Sequence, residues 1–464
     1  MAASNGLAAR LSAGQFLTIG IGAIMGVGWA VALGDWLESA APLGAILGFA
    51  LGGALMLPVA LCYAELATAL PTAGGEVVYL AAVFGLDAAF MVGWFVVLMA
   101  VAITSFEGIS LAWFLGQMIP GIDGAVAYRL LGKDIHSGAL LIGAVFTGLI
   151  TLVNLFGAHA AGRFQEIFTY VKGLAILAFV AAAIALGSLD NLSPPLTPIK
   201  AAPAIYGVLW IASTASLWFA GFQVVPQAIE ERRGDTSVRT VARMTVLALV
   251  LGVVFYCAVV LASTLAVPWH SIVAAPLPAA LAIHAVVRND LLARLVLGAV
   301  VLGILATWNS AFLWSSRLLL ALGRQGMLPE AFGRIGRLHS PVAAVVLVGS
   351  LGLLGICLGR GALVPIINMA SISLTFSYAF ACWAVLRLRR TLPGLERPFR
   401  VPGGTFTMRL AIVTTTAMGG ISLFQPLVRD RRVPLEWLLL LGWTGLGLAL
   451  LFIARQRRRV TGVL

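Results

Sequence analysis

Twelve stretches of this chain run for 17 or more residues without Asp, Glu, Lys or Arg: 11–34, 39–64, 88–106, 135–162, 173–189, 201–229, 244–287, 295–316, 338–359, 361–386, 410–428 and 437–454. About 20 apolar residues in a helix cross roughly 30 Å of hydrocarbon. Backbone polar groups find no water there, so such stretches fold as helices. The ten-residue alternation of a membrane β-barrel is absent from the sequence. The pattern predicts an all-α membrane protein with twelve transmembrane helices. Composition agrees: 61% of residues are hydrophobic and 10% charged, against about 25% charged in a soluble domain. An ordinary soluble enzyme, a disordered tail protein and a nucleic-acid binder are excluded.

One stretch is too long for a single span. Residues 244–287 cover 44 positions and include Pro268, Trp269, His270, Pro276 and Pro278. The prolines argue against a second membrane helix, so a span at about 243–266 followed by an irregular external segment is expected. With both termini cytoplasmic, 20 of the 30 Lys and Arg fall on the inner side and 9 on the outer, Lys172 lying within a span. The positive-inside rule then fixes the orientation and accounts for the net charge of +12. The expected location is the plasma (inner) membrane. Cys62, Cys257, Cys357 and Cys382 fall within predicted spans and read as packing residues, not a disulfide framework. The N-terminal segment carries no cleavage-site pattern and leads straight into span 1.

Two spans carry signs of interruption. Span 1 has Gly20, Gly22, Gly26 and Gly28, four glycines in nine residues, each costing about 1 kcal/mol against Ala inside a helix. Close packing through small residues is one explanation; a broken helix is the other. Span 6 reads Ser216-Leu-Trp-Phe-Ala-Gly-Phe-Gln223, then Pro226, where proline removes a donor near a turn that Gly221 loosens. Irregular backbone at membrane depth survives only where it is buried or lines a cavity. Interrupted helices at corresponding positions of two halves point to a transporter's binding site. Spans 1 and 6 open two five-helix sets, so the twelve divide as five, five and two. The corresponding segments are a cytoplasmic N-terminus 1–13, a first repeat 14–187, a second repeat 201–388, helices 11 and 12 within 408–454, and a basic cytoplasmic tail 455–464.

Several blocks resemble the amino acid–polyamine–organocation permeases. They are the glycine-rich first span; Pro42-Leu-Gly-Ala; Tyr63-Ala-Glu-Leu; Pro71-Thr-Ala-Gly-Gly-Glu-Val-Val-Tyr79; Phe219-Ala-Gly-Phe222 with Glu230-Glu231; Ser316-Arg317 through Gly326-Met-Leu-Pro329, with Phe332 and Pro341; and Arg397-Pro-Phe-Arg-Val-Pro-Gly403. The resemblance implies a LeuT-type 5+5 inverted repeat, alternating access, and a site between spans 1, 3, 6, 8 and 10. It implies that Gly22, Ala23, Ile24, Met25, Gly26, Val27 and Gly28, with Phe219, Ala220, Gly221, Phe222 and Gln223, hold the substrate's carboxylate or amine, and that Phe219 is an aromatic gate. Many relatives have Asp or Glu directly after the Gly-Phe pair. Gln223 cannot titrate, so a relay through that acid is absent here.

Two charges lie inside spans. Lys172, in Phe168-Thr-Tyr-Val-Lys-Gly, costs about 2.5–3.5 kcal/mol at a helix centre on insertion scales. A lysine able to lose its proton there could couple transport to a proton gradient; by resemblance, some relatives have a lysine at this place where sodium-coupled members bind an ion. Alternatively it snorkels, being ~9 Å along the helix from Glu166. Glu107 lies in span 3 as a counter-ion for an ammonium or a proton carrier, or as a hydrogen-bonded packing residue. Trp308, Asn309 and Ser315 are weaker lining candidates. Glu65 and Glu230-Glu231 suit salt bridges at the cytoplasmic face. His159, His270 and His284 show no metal spacing, and no P-loop, H-E-x-x-H or G-x-S-x-G motif occurs, so neither an enzyme nor a cofactor is expected.

The expectation is a proton-coupled permease, or an exchanger, for an amino acid or small amine. Its partners are that small molecule, the proton and the lipid bilayer; the oligomeric state is open. A polyamine- or ethanolamine-like carrier, a sodium-coupled one, and a non-transporting membrane sensor are the alternatives.

Overall fold

The computed structural model describes residues 11–461 except 27, 73, 157, 198–202, 276, 288 and 431–433. In chain order the helices are α1 (Ala13–Ile24), α2 (Gly28–Ala69), α3 (Glu76–Phe84), α4 (Leu86–Met118), α5 (Ser137–Leu155), α6 (Ala158–Leu186), α7 (Ala204–Trp218), α8 (Val224–Gln227) and α9 (Val238–Ala266). They continue as α10 (Trp269–Ala274), α11 (Pro278–Val286), α12 (Asp290–Arg324), α13 (Glu330–Gly333), α14 (Val342–Ile356), α15 (Leu363–Thr391), α16 (Gly404–Asp430) and α17 (Leu435–Thr461). Among the described residues nine helices are long and apolar enough to cross a membrane: α2, α4, α5, α6, α9, α12, α15, α16 and α17, some over most of their length. Three shorter apolar helices are α1, α7 and α14. The chain is therefore a helical, multi-pass membrane protein.

Local chemistry sets the boundaries. Ser12 and Gln15 form a reciprocal capping box at the start of α1, satisfying two backbone donors that a helix start leaves open. Within α2 the backbone leaves helical geometry at Ala41 (φ 58°, ψ 174°), directly before Pro42, so α2 is two helices meeting at a sharp bend. That bend stands where the sequence has Glu38 between two uncharged stretches.

Two elements differ from the sequence reading. The segment after span 7 is not irregular: it folds into α10 and α11. Pro268 is the N-cap of α10 and Pro278 begins α11, positions where the missing N–H would be unsatisfied anyway. The second addition is an antiparallel hairpin of β1 (Val126–Leu130) and β2 (Lys133–His136). Leu131 and Gly132 at its tip both have positive φ, 50° and 74°, as a tight two-residue hairpin turn requires. The Tyr128 hydroxyl donates to the Cys357 carbonyl at 2.5 Å and docks the hairpin. Cys357 is exposed at the end of α14, unlike the buried Cys62 and Cys382, and all four cysteines are free thiols.

α2 packs along α7 and α9, while α15 packs along α4 and α16. At the centre Trp36, Phe49, Trp218 and Tyr256 pack ring against ring, Phe49 stacking on Tyr256 at 4.8 Å and Trp36 meeting Trp218 edge-on at 5.0 Å. This aromatic wall backs the place where α1 and α7 end.

Candidate functional site

α1 stops in mid-bundle. Met25 (φ −76°, ψ 51°) leaves helical geometry and Gly26 follows outside any helix. The last carbonyls of a helix have no partner within it, and here other helices supply donors. Lys172 Nζ on α6 donates to the carbonyls of Gly22 at 3.1 Å and Met25 at 2.5 Å. Thr307 on α12 donates to the Gly22 carbonyl at 3.3 Å, and Tyr256 on α9 to that of Ile24 at 3.1 Å. An ammonium at a helix C-terminus also meets the negative end of the helix dipole. Lys172 is 1% exposed. It reaches inward to the break instead of snorkelling to a surface.

The four glycines of span 1 divide by role. Gly20 and Gly22 lie inside α1, where a Cβ at Gly20 would stand 2.7 Å from Val225 and one at Gly22 would collide with Gln165 and Thr169. These two allow close packing. Gly26 lies at the break itself, and Gly28 starts α2 against the Trp218 ring, leaving no room for a Cβ. Val27 is outside the described residues.

α7 ends at Trp218, and residues 219–223 turn before the short α8. Gly221 has φ +151°, and a Cβ there would lie 2.8 Å from the Ile24 backbone nitrogen, so the two interruptions rest on each other. Gln223 holds this turn: its Oε1 accepts from the Gly221 N–H at 2.8 Å and from the Tyr378 hydroxyl at 3.1 Å. Phe219 is fully buried between Phe49 and Tyr256, at 6.3 and 5.7 Å, and Phe222 packs on Tyr63 and Tyr378.

Between the interrupted helices lies a cavity of about 60 Å³. Of the sequence candidates, Ala23, Ile24, Gly26, Gly28, Ala220 and Glu107 line it. Gly22, Met25, Phe219, Gly221, Phe222 and Gln223 do not; they shape or brace its walls. Glu107, on α4, is 3% exposed, and its Oε2 has no hydrogen-bond partner among the described residues. Glu107 and Lys172 feel each other's charge across the break. Sequence reasoning missed Thr307, Tyr256, Phe106, Trp218 and the α15 residues Ile366 and Ile367, which also line the cavity. Their identities are ordinary for membrane helices, and only the helix rotation selects them. A larger space of about 340 Å³, with Asp35, Glu38, Trp113 and Arg360 in its walls, shares Phe106 and Ile367 with the central cavity. These two side chains stand between the cavity and the hairpin end of the molecule.

The weaker candidates are braces. Asn309 donates to Gln165 at 3.1 Å and accepts from Asn154 at 2.9 Å, tying α12 to α6 and α5. Trp308 and Ser315 are fully buried away from the cavity lining. The opposite end is closed by ion pairs. Arg389 makes two bonds to Glu65, at 2.8 and 2.5 Å, and the Val401 N–H adds a third at 2.7 Å. Buried Glu231 pairs with Arg317 at 2.8 Å, not with its neighbours Arg232 and Arg233, and Glu230 meets Arg324 at 3.4 Å. Leu11 adds backbone bonds to Glu231 and Arg233.

A multi-pass helical membrane protein with a central, mainly apolar cavity, bounded by helix ends and one buried carboxylate, has the architecture of a permease. The sequence matches the amino acid permease family model over residues 11–451, and the chain belongs to that family. It is 27% identical over 405 residues to the methylthioribose transporter of Bacillus subtilis, covering 86% of this chain and 85% of the relative. It is 26% identical to the branched-chain amino acid permease BcaP of the same organism, over 89% and 88% of the two chains. A probable GABA permease of Pseudomonas aeruginosa is 26% identical over 75% of this chain and 71% of its own length. These relatives are transporters, not enzymes.

Proposed function

We propose that this protein imports an amino acid or small amine by alternating access, coupled to protons. The observation that carries this reading is the Lys172 ammonium on the Gly22 and Met25 carbonyls, beside a cavity that also holds Glu107. A fixed ammonium occupies carbonyls that would otherwise suit a metal cation, which favours protons over sodium as the coupling ion. Loss of the lysine's proton would release those carbonyls and let the end of α1 move. Glu107, in the cavity wall, would meet the substrate's amino group. The apolar remainder, including Ala102, Ile103, Leu217 and Ile366, suits a short uncharged side chain.

The wider reading has twelve spans. α1 with the first part of α2 forms span 1, α7 with α8 forms span 6, and α14 forms span 9. The helices divide into two five-helix repeats with α16 and α17 appended. Both termini lie in the cytoplasm, so the Glu65–Arg389 end faces inward and the hairpin end outward. The test is uptake of radiolabelled amino acids and amines into proteoliposomes under an imposed pH gradient, after a thermal-shift screen for ligands. Binding without flux would favour a membrane sensor. Uptake that requires sodium and ignores pH would overturn the coupling assignment.

A further inference from the structure

Glu76 is a buried carboxylate that the central cavity does not use. It opens α3 and is fully buried. The Tyr63 hydroxyl on α2 donates to its Oε1 at 2.8 Å, and the Gln227 amide on α8 donates to its Oε2 at 2.6 Å. One side chain therefore ties three elements together, including the short helix beyond the Gly221 turn. Gly75, with φ +48°, sits so close to Gln227 that a Cβ would collide with it. The cluster continues toward the cavity. Tyr63 packs edge-on against Tyr378 at 5.6 Å, and Tyr378 donates to Gln223 in the Gly221 turn.

The surroundings of Glu76 act on its two protonation states in opposite senses. Burial opposes the charged form. Two donors and the positive end of α3 favour it. The titratable groups facing it are Tyr63 from α2, Tyr79 from α3 itself and Tyr378 from α15. Cys62 of α2 and Cys382 of α15 stand behind these tyrosines. α4 and α12 meet this region through Gly93, Leu318, Ala321 and Leu322, which carry no charge. Arg317, Arg389 and Arg397 toward that end are engaged by Glu231 and Glu65. Two buried polar atoms beside Glu76, the Tyr79 hydroxyl and Gln227 Oε1, have no hydrogen-bond partner among the described residues.

We propose that Glu76 is a proton-binding site that controls the inner gate, holding α8 closed against α2 and α3 as the anion and releasing it on protonation. The ionised group accepts two hydrogen bonds. The protonated acid turns one oxygen into a donor, so Tyr63 and Gln227 can no longer both donate to an acceptor. This places a titratable acid next to the turn in which Gln223 stands. The proposal rests on the transport reading and its orientation, with Lys172 setting how many protons travel and Glu76 setting how fast the inner face opens.

The experiment is substrate exchange across proteoliposomes with internal pH varied and external pH fixed, using right-side-out protein. Exchange by the wild type should accelerate as internal pH falls. Glu76→Gln should hold the fast rate at every internal pH, while the accumulation ratio under a pH gradient stays at the wild-type value. Tyr63→Phe removes one donor to the anion and should move the midpoint of the internal-pH profile upward by about one unit. Gln227→Leu removes the bond that holds α8 and should give the fast rate at every internal pH. Glu76→Gln with an unchanged pH profile would overturn the proposal, as would dependence on external pH alone. If Glu76→Gln fails to assemble, an unshifted midpoint in Tyr63→Phe together with wild-type pH control in Gln227→Leu would overturn it equally. Loss of accumulation in the wild type itself would refute the coupling reading instead.

Discussion

Replacing Lys172 with Met separates coupling from folding. The thioether fills the path of the lysine stem and removes the charge. Two hydrogen bonds from the ammonium are lost, to Gly22 and Met25, each worth about 1.5–3 kcal/mol when a charged group is involved. The burial of an ammonium is relieved at the same time, a term of several kcal/mol with opposite sign. The Gly22 carbonyl keeps its bond from Thr307. The two changes are of similar size, so Lys172→Met should shift the melting temperature by only a few degrees. Coupling should respond differently. One pH unit is about 1.36 kcal/mol per proton, so with the membrane potential clamped at zero, one proton per neutral substrate sustains about tenfold accumulation. Lys172→Met should lower the steady-state ratio to one while still exchanging labelled for unlabelled substrate. Steady-state accumulation in reconstituted vesicles, with size-exclusion profiles as the folding control, is the assay. A tenfold ratio retained by the variant would refute the role given to this lysine.

Other consequences follow from the same geometry. Glu107→Gln should weaken binding of cationic amines at least tenfold more than that of zwitterions by competition assay, since only the former lack a compensating carboxylate; equal losses would exclude a counter-ion role. Gly221→Val should abolish uptake, because a branched Cβ at φ +151° meets Ala23 and the Ile24 backbone at 2.8 Å; normal uptake would show that this turn is not tightly packed in the working protein. Glu65→Gln should destabilise the closed end by about 3 kcal/mol, the scale for breaking a buried ion pair, and appear as a lower melting temperature with faster exchange. Replacing external sodium with choline should leave uptake intact, and a collapse would restore the sodium-coupled alternative.

The extent to which the sequence disclosed this protein depends on the physical scale of each feature. The span-scale apolar stretches are dictated by bilayer thickness and by backbone groups that must bond internally, so they are visible residue by residue. Even there, the helices α10 and α11 were not foreseen, and the turn between spans 1 and 2 falls at Ala41, a few residues beyond the charged break at 35–38. A short, partly buried helix started by proline leaves little mark on hydropathy. The glycines of span 1 announced an irregularity, yet composition could not separate Gly20 and Gly22, which admit neighbouring helices, from Gly26, which lies at the break.

The sequence by itself determined that the chain must live in a membrane, and that a lysine and a glutamate would be carried into it at a cost demanding partners. Which partners they have was decided only by the tertiary structure. Lys172 finds carbonyls about 150 residues earlier in the chain, Glu107 comes to the cavity beside the same helix break, and Glu76, which the sequence did not single out as an intramembrane charge, bonds Gln227 at a similar remove. Such bonds depend on how each helix is rotated about its axis and how far it slides along its neighbours. Hydropathy does not encode that rotation, because a helix surrounded by lipid and other helices is apolar on every side.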